Sequence, residues 1–167
     1  KDNFYITYWV LNLIHDKTIL TLNKNYTQDE FLEYIFSDKF IRDKWTLNKK
    51  IEKKYILGIE NSIKYMQLLA ELCKENNINL SIAVYPWPSQ IFYNDLDSKH
   101  VTMWKNFSTS NNLQFINHFP IFFKNINKSS DLKDHINKYY IEHDIHFNHR
   151  GNKIIANDFL KKYKLKF

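Results

Sequence analysis

Ile56, Ile59, Ile63, Met66, Leu69, Ala70 and Cys73 recur at steps of three and four residues. That spacing puts them on one face of a single long helix. The period predicts a helix over 52–74, closed at Glu75-Asn76-Asn77, where asparagine takes the left-handed cap conformation. Residues 78–84, Ile-Asn-Leu-Ser-Ile-Ala-Val, then switch to a short β-rich run that reads as a buried strand. Tyr85-Pro86-Trp87-Pro88 stops it, because proline has no N–H to give a sheet ladder. A long helix that delivers a strand ending on prolines restricts the fold more than any other stretch of the chain.

Other elements follow from local signals. Thr27-Gln28-Asp29-Glu30 has the form of a capping box and starts a helix over 28–36. A second helix is expected over 40–50. Ser89 is expected to cap a short helix reaching Tyr93, and a further helix covers 98–108. Residues 113–117 read as a second strand, 119–124 as a short aromatic helical turn, and 128–131 as a loop. The last helix starts near His149 and turns Ile154, Ile155, Phe159 and Leu160 inward. Phe115, Phe119, Phe122 and Phe123, with Trp9, Trp45 and Trp104, are read as core, and Cys73 as a small buried hydrophobe.

This order predicts an α/β fold, a parallel sheet with helical crossovers. Two strands, with a third at 18–22, are few for a 20.4 kDa domain of this kind. Further strands are therefore expected upstream of Lys1, with residues 1–167 forming a single α/β domain and 1–50 a largely helical insertion or lid.

Composition narrows the function classes. The 44% hydrophobic and 17% aromatic content is that of a packed protein, and one cysteine excludes an intrachain disulfide. The net charge of +6 is scattered in short lysine clusters, with no zinc-finger spacing or long basic arm, so no nucleic-acid partner is expected. Residues 4–14 are greasy but shorter than the ~20 residues of a span. No small-residue cleavage site follows them, so neither a membrane span nor a signal peptide is read there. A first residue Lys1 in place of Met fits a processed or truncated chain.

The chemistry is concentrated in Asp144-Ile-His146-Phe147-Asn148-His149-Arg150-Gly151, just before the last helix. A carboxylate two residues from an imidazole can accept from one ring nitrogen, fix the tautomer and free the other nitrogen as a base. Gly151 is one of only two glycines in the chain. Other readings of the same residues stay open here. Asp144 suits a helix N-terminus, His146 suits an exposed loop, and His143, Asp144, His146 and His149 are donors of the right type for zinc, although their spacing matches no zinc motif. Ser89 is a nominal nucleophile but reads better as a cap.

The block resembles the last signature of the SGNH/GDSL hydrolase superfamily, and its single spacer is closest to the alginate O-acetyltransferase-like branch. The matching residues are Asp144, His146, Phe147, Asn148 and Gly151. The likeness covers about residues 61–163 and is specific over roughly thirteen of them. It implies a flavodoxin-like three-layer parallel sheet and a serine ester hydrolase or O-acyltransferase acting on acyl or acetyl esters, of carbohydrates among others. His146 would be the general base and acid, with Asp144 orienting it. Tyr85, Trp87 and Asn148 are expected at the substrate pocket, Asn148 also capping the last helix. No cofactor and no metal are implied, and that branch works outside the cytoplasm. The Gly-Asp-Ser block that carries the nucleophile in such proteins is not found in this sequence. It is expected on an N-terminal segment or chain that completes the domain; the competing expectation is a non-catalytic glycan- or protein-binding module on the same scaffold.

Overall fold

The computed structural model describes residues 27–37, 45–47, 53–124, 126 and 132–163. The apolar run 4–14, the strand expected at 18–22, the loop at 128–131 and most of the helix expected over 40–50 lie outside them. Residues 45–47 form a turn rather than part of that helix.

The described chain runs α1 (Gln28–Phe36), α2 (Lys53–Glu75), β1 (Ser81–Val84), α3 (Pro88–Phe92), α4 (Lys99–Ser110), β2 (Gln114–Asn117), α5 (Phe119–Phe123), α6 (Leu132–Asn137) and α7 (His149–Lys162). It is a mixed α/β structure in which β1 and β2 pair in parallel, Ser81 opposite Gln114 through Val84 opposite Asn117. The crossover between them is α4, as a parallel connection requires. β1 has no second neighbour among the described residues.

The entry to each strand is set by asparagine. Asn77 at φ 56° and Asn112 at φ 53° close α2 and α4 in the left-handed region. There Ile78 N–H donates to Cys73 C=O and Leu113 N–H to Ser108 C=O, both at 2.8 Å. These are Schellman closures with asparagine where glycine is usual. They also explain why the strands are shorter than expected. Leu113 is spent on the cap, so the ladder begins at Gln114, opposite Ser81. Ile78 is 60% exposed.

α1 carries the expected capping box: Glu30 N–H donates to Thr27 Oγ1 while Thr27 N–H donates to Glu30 Oε2 at 2.7 Å. Its Phe31, Leu32, Ile35 and Phe36 enter a core shared with Ile91, Phe122, Ile136 and Tyr140. Burial of a Leu or Ile side chain contributes about 1.5–3 kcal/mol, which a nine-residue helix needs in order to persist. A second core joins Ala70, Ile82, Val84, Val101, Phe107 and Phe119 around the two strands.

Three inward assignments are corrected. Ile56 and Leu69 on α2 are 42% and 41% exposed, and Leu160 on α7 is 76% exposed. These helices flank β1, and β1 is the end strand among the described residues, so the apolar faces beyond it have no sheet to cover. Ser89 is not a cap either. It lies inside α3, buried, with no partner for its hydroxyl among the described residues. Gln90 does the capping instead, its Oε1 accepting from Trp87 N–H at 2.9 Å. Gln90 Nε2 donates to Ser98 Oγ, which donates to the Thr46 carbonyl. That buried chain fixes Trp87 at the carboxyl end of β1.

Candidate functional site

The Asp-x-His motif lies on a short loop folded back on itself. Tyr140 and Phe147 form an antiparallel bridge, with Ile141 N–H donating to the His146 carbonyl at 2.9 Å and Asp144 N–H to that of Ile141 at 3.1 Å. His143 takes φ 56° near the tip. Its N–H donates to Gln28 Oε1 at 2.7 Å, while Gln28 Nε2 donates to Asn137 Oδ1. The first residue of α1 thus clasps the loop from outside.

Asp144 and His146 meet. His146 Nδ1–H donates to Asp144 Oδ1 at 2.6 Å, and the same oxygen accepts from the backbone N–H groups of Ile145 and His146 at 2.6 and 3.1 Å. Three donors on one oxygen hold the carboxylate still. With the proton on Nδ1, Nε2 carries the lone pair. The imidazole side chain is 77% exposed, and Nε2 has no partner among the described residues. This is an oriented base open to an incoming proton donor.

The adjacent Phe147 points the other way. Its ring packs on Phe122, Tyr140 and Tyr85 at centroid distances of 5.1, 4.8 and 5.2 Å. Tyr85 follows β1 directly, so the aromatic contact ties the dyad loop to the carboxyl end of that strand. Tyr140 adds a second tie, its hydroxyl donating to the Pro86 carbonyl at 2.7 Å. Burial, with a smaller push from Tyr85, drives the Tyr140 phenol well above its ordinary value, so it stays a donor. Tyr85 and Trp87 line a cavity of about 290 Å³ that runs along β1 from Ile82, with Met66, His100 and Trp104 as its other walls, and reaches the carboxyl end of the strand, where open α/β folds bind ligands.

Asn148 works on the backbone. Its Oδ1 accepts from Arg150 and Gly151 N–H, capping α7, while Nδ2 faces the carbonyls of Asn137, Lys138 and Tyr140 at 3.3, 3.1 and 2.9 Å. Donors on one side and carbonyls on the other leave one orientation of the amide. Gly151 is buried at the third position of α7. A Cβ there would lie 2.8–2.9 Å from Phe147 and closer still to the Tyr139 carbonyl oxygen. The motif glycine is therefore demanded by close approach.

The chain matches no known protein family, no curated protein and no solved structure.

Two contributors have no local sequence signal. Tyr140 is one. The other is a second acid–imidazole pair, His118 with Asp158, whose Nδ1 and Oδ2 are 2.8 Å apart. Lys162 Nζ reaches the same oxygen at 2.7 Å and the Asn117 carbonyl at 2.6 Å. Burial alone would raise the Asp158 carboxyl, but the hydrogen bonds and charges of Lys162 and His118 outweigh it and hold the group below its ordinary value. His118 is 1% exposed. The triad locks α7 to the end of β2, a structural use of the residue types that His146 and Asp144 present at the surface.

A larger cavity, about 650 Å³, opens at the other end of the strands beside Asn77, Asn79 and Asn112. It lies at the amino ends of the strands, away from the dyad. Among the described residues no three His, Cys, Asp or Glu side chains are arranged to hold a metal, and no helix is long and apolar enough to cross a membrane.

Proposed function

We propose that this chain carries the acid–base half of a serine ester hydrolase or O-acyltransferase of the SGNH type, on a flavodoxin-like sheet. The observation that supports it best is the 2.6 Å Nδ1–Oδ1 hydrogen bond, with Nε2 open, on a loop tied to the carboxyl end of β1. In this reading Nε2 takes the proton of a serine hydroxyl as its oxygen attacks an ester carbonyl. The imidazolium, held by Asp144, then protonates the leaving alcohol, and an acyl-serine forms. Water or an acceptor alcohol reverses the sequence and releases the acid or a new ester. The serine comes from polypeptide outside the described residues, beside the open edge of β1. Acetyl and other acyl esters, those of carbohydrates included, are the substrate class.

Hydrolysis of an aryl acetate by the full protein tests it. His146→Ala is expected to abolish turnover while leaving the denaturation midpoint unchanged, and turnover surviving in that variant refutes the assignment. One observation favours a second reading, a non-catalytic glycan- or protein-binding module: Nε2 meets no hydroxyl among the described residues. Serine labelling of the full protein by a fluorophosphonate probe separates the two.

A further inference from the structure

Gly58 is exposed in the second turn of α2, and an added Cβ would meet nothing within 4 Å. A glycine in a helix interior costs ~1 kcal/mol relative to alanine, and this chain keeps only two glycines in all. Among the described residues no neighbour of the missing side chain accounts for this one. It borders an open groove of about 420 Å³ between α2 and α4, walled by Trp45, Met103, His100 and Trp104. The last two also line the 290 Å³ cavity that ends at Trp87 and Tyr85. The two spaces have His100 and Trp104 in common, and the smaller one reaches Tyr85, the residue packed on Phe147. Each is of the size that small-molecule sites take up.

The lining selects the occupant. A sugar ring brings hydroxyls that need partners once out of water. Here Ser62 Oγ is already donated to the Gly58 carbonyl at 2.8 Å. The His100 ring offers one buried nitrogen, Nδ1, without a partner, and burial pushes its pKa down to about 4, so it carries no charge at neutral pH. Lys54 stands at the exposed rim. What remains is ring faces, among them the Tyr55 phenol with Lys54 Nζ 4.9 Å over it, the Ile59 side chain, a thioether and the bare backbone of Gly58. We propose that this cleft holds an unbranched acyl chain longer than acetyl, lying past Gly58 and Trp104 with its carbonyl end at Tyr85. The location of that carbonyl rests on the ester-hydrolase reading; the affinity for the chain does not.

Tryptophan fluorescence tests it directly, since Trp45, Trp87 and Trp104 border the cleft. The full chain is titrated with methyl butanoate, hexanoate and octanoate. Each methylene buried is worth ~0.8 kcal/mol, so each two-carbon step is expected to tighten binding about fifteenfold. Gly58→Leu fills the groove and is expected to remove binding while the denaturation midpoint stays at or above that of the parent. Equal affinity along the series overturns the proposal. So does tighter binding of a methyl hexoside than of the octanoate ester, or Gly58→Leu binding octanoate as the parent does. Chain-length-dependent binding by a protein that turns over no ester refutes the hydrolase and keeps the cleft. Aryl acetate hydrolysis with no chain-length dependence of binding refutes the cleft and keeps the dyad.

Discussion

The two glycines give a matched pair of substitutions with opposite expected signs. Both sit inside helices and neither has a positive φ, so alanine is conformationally acceptable at each and gains ~0.5–1 kcal/mol of helix propensity. At Gly58 nothing lies within 4 Å of the added methyl, and the gain is realised: for a chain of this length about 1 kcal/mol raises Tm by roughly 2–4 °C. At Gly151 the methyl would lie 2.8–2.9 Å from two Phe147 carbons and closer still to the Tyr139 carbonyl oxygen. Neither neighbour yields easily. The Tyr139 carbonyl accepts from Asn148 N–H at 2.9 Å, and the Phe147 ring is wedged among Phe122, Tyr140 and Tyr85. Overpacking of this kind costs ~1–3 kcal/mol, which exceeds the propensity gain, so Gly151→Ala is expected to destabilise by about 1–2 kcal/mol net. Urea denaturation followed by far-UV circular dichroism reads both, as midpoints moving in opposite directions at unchanged slope. A Gly151→Ala midpoint equal to or above that of the parent would show that the α7 start is not packed against Phe147 as described, and the dyad geometry would fall with it.

Further outcomes follow from named contacts. Asn148→Ala removes an N-cap worth ~1 kcal/mol and leaves the part-buried Asn137 and Tyr140 carbonyls without their amide donor, so a total loss near 2–3 kcal/mol is expected in the same urea assay; Asn148→Asp keeps the cap oxygen yet loses the donors, and is expected to fall between the parent and Asn148→Ala. His100 is neutral when folded down to about pH 4, whereas the unfolded side chain protonates near 6.5. The unfolded state therefore binds the extra proton between those values, and the stability present above pH 6.5 is lost as pH falls toward 4, by up to about 3 kcal/mol. Denaturation midpoints at pH 7 and 4.5 measure this, and His100→Leu is expected to flatten the slope. Tyr140→Phe leaves the Pro86 carbonyl without its donor and is expected to cost ~1–3 kcal/mol by chemical denaturation.

What the sequence revealed and what it concealed divide along chain separation. The capping box at Thr27, the α2 period, the proline stop after β1, the asparagine at the end of α2 and the Asp144–His146 pairing each depend on residues a few positions apart. Every one of them is found in the structure. The Asn148 cap was equally readable, because the residue precedes a helical period. By contrast His118 and Asp158 are 40 residues apart, and Tyr140 meets Pro86 across 54, so no local pattern announces either. α6 is six residues long and too short to show a period. The exposure of Leu69 and Leu160 escaped for a different reason. Periodicity reports which face of a helix is apolar, while only the sheet beside it decides whether that face is covered. The Trp104–Gly58 groove was hidden for the same cause, its residues all reading as core or helix.

The parallel ladder joins residues 33 positions apart, whereas Asp144 and His146 are neighbours in the chain. During folding the hydrogen-bonded couple can therefore close on the timescale of a tight turn. The wall it works against must wait for α4 to form and swing β2 alongside β1, a loop closure whose entropy is spent before any contact rewards it. On the proposed hydrolase reading, a refolding chain would own its base well before it owned a floor for substrate. In that reading competence would arrive only once the ladder had closed.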